Sequence, residues 1–356
     1  MAMMKGLREA TTEDLPGLLQ RLANCLPYSS AVHGVVKVQM QYNPDTGMQI
    51  LVGPASSSLV LIMSVFPGME TQSVSVFWDV DQDDDQTVAE LLGSTPRLDW
   101  SEPVILFAVP IHLLHKVEQM VRCGELGNGR LVADPLLTAH LYAITASRLP
   151  ITPRLAREFR LGAIEEHHTE HLYKHWKFSE TMTLESYRRM LRTLPSVGVF
   201  TTDTAPANTT ADETLQDKTL KNINLGKTTQ ESLECTVNGK NGIQNTLETT
   251  VTEDDASRET MISGGDVTGQ SHTSDLPVAW TSLSYMNYIN NTFTLKEYRR
   301  RGLGRAVTLA LAARVLEDDD RVLAYVVTDN DTSIKFHEEL GFTCECDFGW
   351  QRYSVL

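Results

Sequence analysis

The segment with the clearest chemistry is Tyr298-Arg-Arg-Arg-Gly302-Leu303-Gly304-Arg305-Ala306. Two glycines at the entrance to a helix let successive backbone N–H groups point the same way. They meet the positive end of the helix dipole and form an anion cradle. Arg299, Arg300, Arg301 and Arg305 add positive charge in a chain whose formal net charge is −15. The chemistry expected there is the binding of a diphosphate. The alternative is a solvated basic turn. The segment is neither a Walker loop nor a dinucleotide fingerprint, because the spacing Gly-x4-Gly-Lys-Ser/Thr and the run Gly-x-Gly-x-x-Gly are both missing.

Other residues that could do chemistry are less specific. Glu165–Trp176 (EEHHTEHLYKHW) places His167, His171 and His175 at helical spacing. Zinc can bind such a face, but the order His-Glu-x-x-His is absent. A helix facing a pocket or solvent is favoured over a metal site. Cys344 and Cys346 lie two apart on one expected strand, with no second Cys or His pair at zinc-finger spacing, so no metal is expected. Asp79–Asp85 lacks the glycine and terminal glutamate of a calcium loop and reads as a solvated acidic turn.

The elements that must position these residues form an α/β chain with a mixed sheet. Helices are expected at Glu13–Cys25, Thr87–Leu92, Pro110–Val121, Glu165–Trp176, Thr183–Leu194, Arg305–Leu316 and Asn330–Leu340. Ala133–Ala146 carries a weaker helical pattern. Strands are expected at Ala31–Gln41, Ile50–Val52, Ser58–Val65, Thr71–Phe77, Arg157–Ile164, Ser196–Thr202, Leu276–Ser284, Asn287–Thr294 and Phe342–Trp350. Arg321–Val327 is a continuous apolar run, as in a buried central strand. Length suggests two units, 1–150 and 151–356. Asp203–Asp275 is rich in Thr, Ser, Asn and Gly, holds thirteen acids against five bases, and reads as a disordered acidic insertion whose deletion spares activity.

Net acidity disfavours nucleic acid and anionic membranes as partners. No apolar run reaches the about 18 residues of a membrane span. Met1–Leu22 shows neither a secretory nor an Arg-rich transit pattern. The five scattered cysteines suit a reducing compartment.

Arg299-x-x-Gly302-x-Gly304 resembles the Arg/Gln-x-x-Gly-x-Gly/Ala signature of the GCN5-related N-acetyltransferases. Asn330-x-x-Ser333-x-x-Phe336-His337-Glu-Glu-Leu340-Gly341-Phe342 resembles the segment that follows it in that superfamily. VHGVVKVQMQYNP (Val32–Pro44), AELLGSTPRLDW (Ala89–Trp100), EHLYKHWKF (Glu170–Phe178), LPVAW (Leu276–Trp280) and LKEYRRRG (Leu295–Gly302) are similar to stretches of the glycine N-acyltransferase family. The resemblance implies an N-terminal unit that is a degenerate acyltransferase-like fold, followed by a catalytic unit. It implies transfer of an acyl group from acyl-CoA, as co-substrate, to the amine of glycine or another amino acid in a ternary complex. The compartment it implies is mitochondrial or cytoplasmic. Acylation of a protein or polyamine amine, and catalytically weak acyl-CoA binding, are the alternatives.

The same resemblance assigns residues. Arg299, Arg300, Arg301, Gly302, Leu303, Gly304 and Arg305 would hold the pyrophosphate of coenzyme A. Phe293, Thr294 and Leu295 would follow the pantetheine through their backbone, on a strand that splays from its neighbour. Asn330, with Ser333 behind it, would cap its helix or reach the pantetheine. Tyr288 stands where the family carries its catalytic Glu, eleven residues before Arg299. It would relay a proton through water, or Glu170, His171 or His175 would serve as base. His337 stands where relatives carry a tyrosine that protonates the thiolate; it would act as an imidazolium or sit exposed on its helix.

Overall fold

The computed structural model describes residues 6–66, 71–177, 179, 182–202 and 276–356. The acidic insertion expected at 203–275 lies outside the described residues.

The first unit runs β1 (Arg8–Glu9), α1 (Leu15–Ala23), α2 (Ser30–Tyr42), β2 (Gln49–Val52), β3 (Val60–Met63), β4 (Gln72–Phe77), α3 (Asp85–Gly93), β5 (Val104–Pro110), α4 (Ile111–Arg122), β6 (Leu131–Ala133) and β7 (Leu137–Thr145). The second runs β8 (Phe159–Gly162), α5 (Thr169–Lys174), α6 (Leu184–Met190), β9 (Ser196–Thr201), β10 (Ala279–Leu283), β11 (Ile289–Thr294), α7 (Leu303–Val315), β12 (Arg321–Val327), α8 (Asp331–Glu339) and β13 (Thr343–Val355). The architecture is mixed α/β with a mixed sheet, as expected. Among the described residues no helix is long and apolar enough to cross a membrane.

The last strand of each unit is embedded beside strands of the other. One sheet has the order β1-β2-β3-β4-β5-β13-β7-β12, with β6 also on β13. Strand β13 therefore lies between β5 and β7, and β7 lies between β13 and β12, so the sheet crosses the 150/151 boundary. The cores follow suit: Met286, Tyr288, Tyr325 and Phe348 pack in the first unit's core, and Val38, Tyr142 and Ile144 in the second's. A four-stranded sheet, β11-β10-β9-β8, completes the fold.

Two expectations about elements are corrected. Ala31–Gln41 is helical, not extended, because it lies within α2. Its valines favour strands locally by a few tenths of a kcal/mol each. Burial of Val32, Val35, Val36 and Val38 contributes more, about 1.5–3 kcal/mol per side chain. The weak helical pattern at Ala133–Ala146 belongs mainly to β7, a central strand whose Ala139, Leu141, Tyr142, Ala143 and Ile144 are buried. Burial on both faces erases the alternation that marks a strand. The acidic turn also does structural work. Asp83 is buried and accepts from the Ser58 amide at 2.7 Å, and Asp84 caps α3 by accepting from the Thr87 amide at 2.9 Å.

The units are also joined by charge. Lys37 on α2 pairs with Asp319, whose side chain is 5% exposed, and Asn287 Nδ2 donates to the same carboxylate at 2.7 Å. Removing one partner of a buried pair leaves the other charge uncompensated. Asp319→Ala is therefore expected to cost about 3 kcal/mol of unfolding free energy. Urea denaturation measures it; a change under about 0.5 kcal/mol would show the pair to be idle.

Candidate active site

The basic loop joins the end of β11 to α7. A single 3-10 turn, Lys296–Tyr298, precedes it. Arg300 has φ +64° and Gly302, the N-cap of α7, has φ +74°. Glycine adopts the left-handed region without steric cost. The first backbone bond into the helix is Ala306 N to Gly302 O, at 3.1 Å. The amides of Leu303, Gly304 and Arg305 precede it and have no intrahelical carbonyl to meet. A Cβ on Gly302 would touch nothing within 4 Å, so the loop is open at this position.

The arginines are held in place. Arg299 Nε donates to Thr294 O at 3.0 Å and stands 5.7 Å from the Phe293 ring. Arg301 lies over the rings of Tyr298 and Phe159 at 5.6 and 5.7 Å. Arg305 donates to Glu339 O at 3.1 Å. Among the described residues no carboxylate pairs with Arg299, Arg300, Arg301 or Arg305.

Strands β11 and β12 are parallel neighbours that touch through one bridge, Tyr288 to Leu323. Beyond it they carry no ladder and belong to different sheets. A bulge interrupts β11: Trp280 faces Phe293, Ser282 faces Asn290, and Asn291 has φ +51°. Bulges re-aim side chains and occur beside active sites. The loop closes on the diverging end of β11, since a Cβ on Gly304 would stand 3.5 Å from Thr294 Oγ1 and 3.9 Å from the Phe336 ring. Phe293, Thr294 and Leu295 are half-buried along this edge.

A small, half-open cleft lies where the strands meet. Its walls include Tyr288, Asn290 and Trp176 from the second unit and Val65, Phe66 and Phe107 from the first. The first-unit residues carry no sequence signal for this role, because only the strand exchange brings them here. Asn290 and Asn291 were missed too. Asn291 Nδ2 donates to the Tyr187 hydroxyl at 3.1 Å, while its Oδ1 is buried without a partner.

The residues considered for proton transfer are dispersed. Tyr288 is 2% exposed and meets Tyr325 edge-on at 4.8 Å. His171 Nε2 lies 3.2 Å from Pro277 O, and burial lowers its pKa. His175 Nδ1 lies 2.8 Å from His171 O, and its ring is 5.6 Å from Phe293, on the diverging strand. Glu170 is exposed beside Arg188, in another cleft with Glu165, Glu166 and His167. Asn330 Oδ1 accepts from the Ser333 amide at 3.1 Å, so it caps α8.

His337 is not exposed on its helix. It is 7% exposed, stacks on Tyr142 and meets Phe342 edge-on. Burial pushes its pKa down to about 4, against a partial offset from Ser333 O at 2.8 Å, to which Nδ1–H donates. His33 is likewise pushed down to about 4 by burial, then by Lys37. For both, the folded pKa lies below the usual 6.5. Their neutral forms stabilise the fold fully above that value, and this contribution is lost as pH falls from about 6.5 to about 4. His337→Gln is expected to flatten this acid limb, visible as a smaller change in denaturation midpoint between pH 7 and 4. An unchanged limb would show that His337 is freely protonated in the folded state.

Residues 270–353 match the family model described as FR47-like protein. No curated protein matches the chain. A Drosophila protein solved by a structural genomics consortium superposes with a TM-score of 0.65 at 13% identity, covering 98% of each chain. That likeness runs through both units and shows a shared fold. A tandem protein of the GCN5-related N-acetyltransferase class from the clavulanic acid biosynthesis pathway gives a TM-score of 0.48 at 12% identity, over 97% of this chain and 96% of the other. A GCN5-related N-acetyltransferase from Kribbella flavida gives 0.45 at 9% identity, over 95% of each. With TM-scores under 0.5, these two are resemblances and no more.

Proposed function

We propose that the protein is an acyl-CoA-dependent N-acyltransferase that acylates the amine of glycine or another amino acid. One observation carries the reading: beside the diverging end of β11, α7 opens on three amides without intrahelical carbonyls, next to an unobstructed Gly302 and four arginines that, among the described residues, pair with no carboxylate. A diphosphate fits there, because each anionic oxygen finds a charge-assisted donor. The FR47-like match over the same stretch supports it. The first unit has a comparable parallel pair, β4 and β5, but its intervening loop is acidic and would repel a diphosphate.

Acyl-CoA supplies an activated thioester carbonyl. In this reading Arg299, Arg300, Arg301, Arg305 and the loop amides bind the diphosphate. The backbone of Phe293, Thr294 and Leu295 lines the pantetheine path toward the bulge, and the acyl group and the acceptor meet at the small cleft beside Tyr288, which must widen to take them. An ammonium acceptor must lose a proton before it attacks. His175 is the base that this geometry favours: its Nδ1 is tied to a carbonyl, and its ring packs on Phe293. The N–C bond forms, the nitrogen gives up its second proton as the adduct collapses, the C–S bond breaks, and the departing sulfur takes up that proton through water to leave as a thiol. His337 remains neutral and packs against Tyr142.

A second reading, a non-catalytic acyl-CoA-binding protein, is favoured by the burial of Tyr288 where the resembled family has its base. Thiol release across a panel of acyl-CoAs and amines, beside calorimetric acyl-CoA affinity, separates the two. Binding with thiol release supports the enzyme; binding without it supports the second reading.

A further inference from the structure

One side-chain cluster lies on the exchanged strands, outside the site described above. An imidazole nitrogen of His140, the Sγ of Cys344 and a carboxylate oxygen of Asp347 all lie within 4.8 Å of one another. His140 is on β7 and the other two are on β13. Their grouping depends on a bulge. Residues three apart on a regular strand face opposite sides. The β7–β13 register shifts between Cys344 and Cys346, which adds one residue and returns Asp347 to the face of Cys344. On β7 the facing residues are Tyr142 and His140, two apart and on that same side. Cys346 is turned toward the first unit's core, and burial pushes its thiol up to about 12.

We propose that His140, Cys344 and Asp347 form a binding site for a divalent cation of the zinc class. Thiolate, imidazole and carboxylate together are the donor set of zinc and cobalt(II) rather than of calcium or magnesium, which take oxygen alone. Tetrahedral coordination with bonds of about 2.0–2.3 Å draws the three donors slightly closer than they stand, through side-chain rotation on two rigid strands. The fourth position faces solvent and takes water. His140 Nδ1 is now 2.7 Å from Asp347 Oδ1, so histidine and carboxylate are already oriented toward each other. Metal binding would release the Cys344 proton. Glu345 is engaged by Arg321 at 2.9 Å and is not counted as a ligand. Occupancy would staple the first unit's last strand to the second unit's.

The test uses the full chain, reduced, titrated with cobalt(II) and followed by absorption, with zinc added as competitor. The expected result is one equivalent bound, with a thiolate-to-cobalt charge-transfer band and intense tetrahedral d–d bands, all abolished by zinc. Cys344→Ser is expected to remove the charge-transfer band. His140→Ala is expected to weaken binding by about 100-fold or more, since the loss of even an outer-shell partner costs about 10–100-fold. Cys346→Ser is expected to leave the spectrum intact. All three positions are at least partly exposed, and circular dichroism verifies that each variant is folded. No cobalt spectrum in the wild-type chain, or a charge-transfer band that survives Cys344→Ser, overturns the proposal. Neither readout depends on acyl transfer.

Discussion

Gly302→Glu is expected to weaken acyl-CoA binding by about 100-fold, or about 2.7 kcal/mol, while the chain stays folded. The new Cβ meets no atom within 4 Å, so close packing at the backbone is not what it disturbs. Two effects are introduced. A non-glycine residue at φ +74° costs about 1 kcal/mol, and a carboxylate now stands where the diphosphate charge would sit. Gly302→Ala carries the first effect without the second. Gly302→Ala is therefore expected to lose little affinity and Gly302→Glu to lose most of it, both with near-native circular dichroism. Calorimetric titration with an acyl-CoA measures each. Equal affinities for wild type and Gly302→Glu would remove the loop from the binding site.

Gly34→Ala has the second large effect, and it is structural. Alanine favours an ordinary helix interior by about 1 kcal/mol over glycine. Here a Cβ would lie 2.0 Å from the Met286 carbonyl oxygen and 2.5 Å from its carbon. Both are backbone atoms, so α2 and the β10–β11 turn must move apart. Overpacking of this kind costs about 1–3 kcal/mol, and the Lys37–Asp319–Asn287 contacts that cross the same junction would be strained. The expected outcome is a net loss of about 2 kcal/mol in urea denaturation. Weaker substrate turnover should accompany it, because Met286 and Tyr288 line the cleft. A Gly34→Ala chain as stable as wild type would mean that the helix does not press on the turn.

The sequence made the second unit legible wherever its cause was local. Glycines and arginines at the start of α7 follow from backbone conformation and charge. Arg321–Val327 coincides with β12 because its apolar run has one plausible burial. The capping role expected of Asn330 is a local one, and its Oδ1 caps α8. The rest depends on partners distant in the chain. The valines of α2 favour a strand until the packing around Gly34 is known. No periodicity reveals that β13 enters between β5 and β7, so Phe66 and Phe107 beside Tyr288, and His140 beside Cys344, were invisible. The burial of His337 rests on Tyr142, which that exchange supplies.

The central claim is that the basic loop holds acyl-CoA while an amine attacks its thioester. Simultaneous measurement of free thiol and N-acyl product, with glycine and other amino acids as acceptors, tests it most directly. The account predicts thiol and N-acyl amino acid in equal amounts, both requiring the amine and both lost in Gly302→Glu. Thiol release that ignores the amine, or an absence of N-acyl product despite acyl-CoA binding, would contradict it.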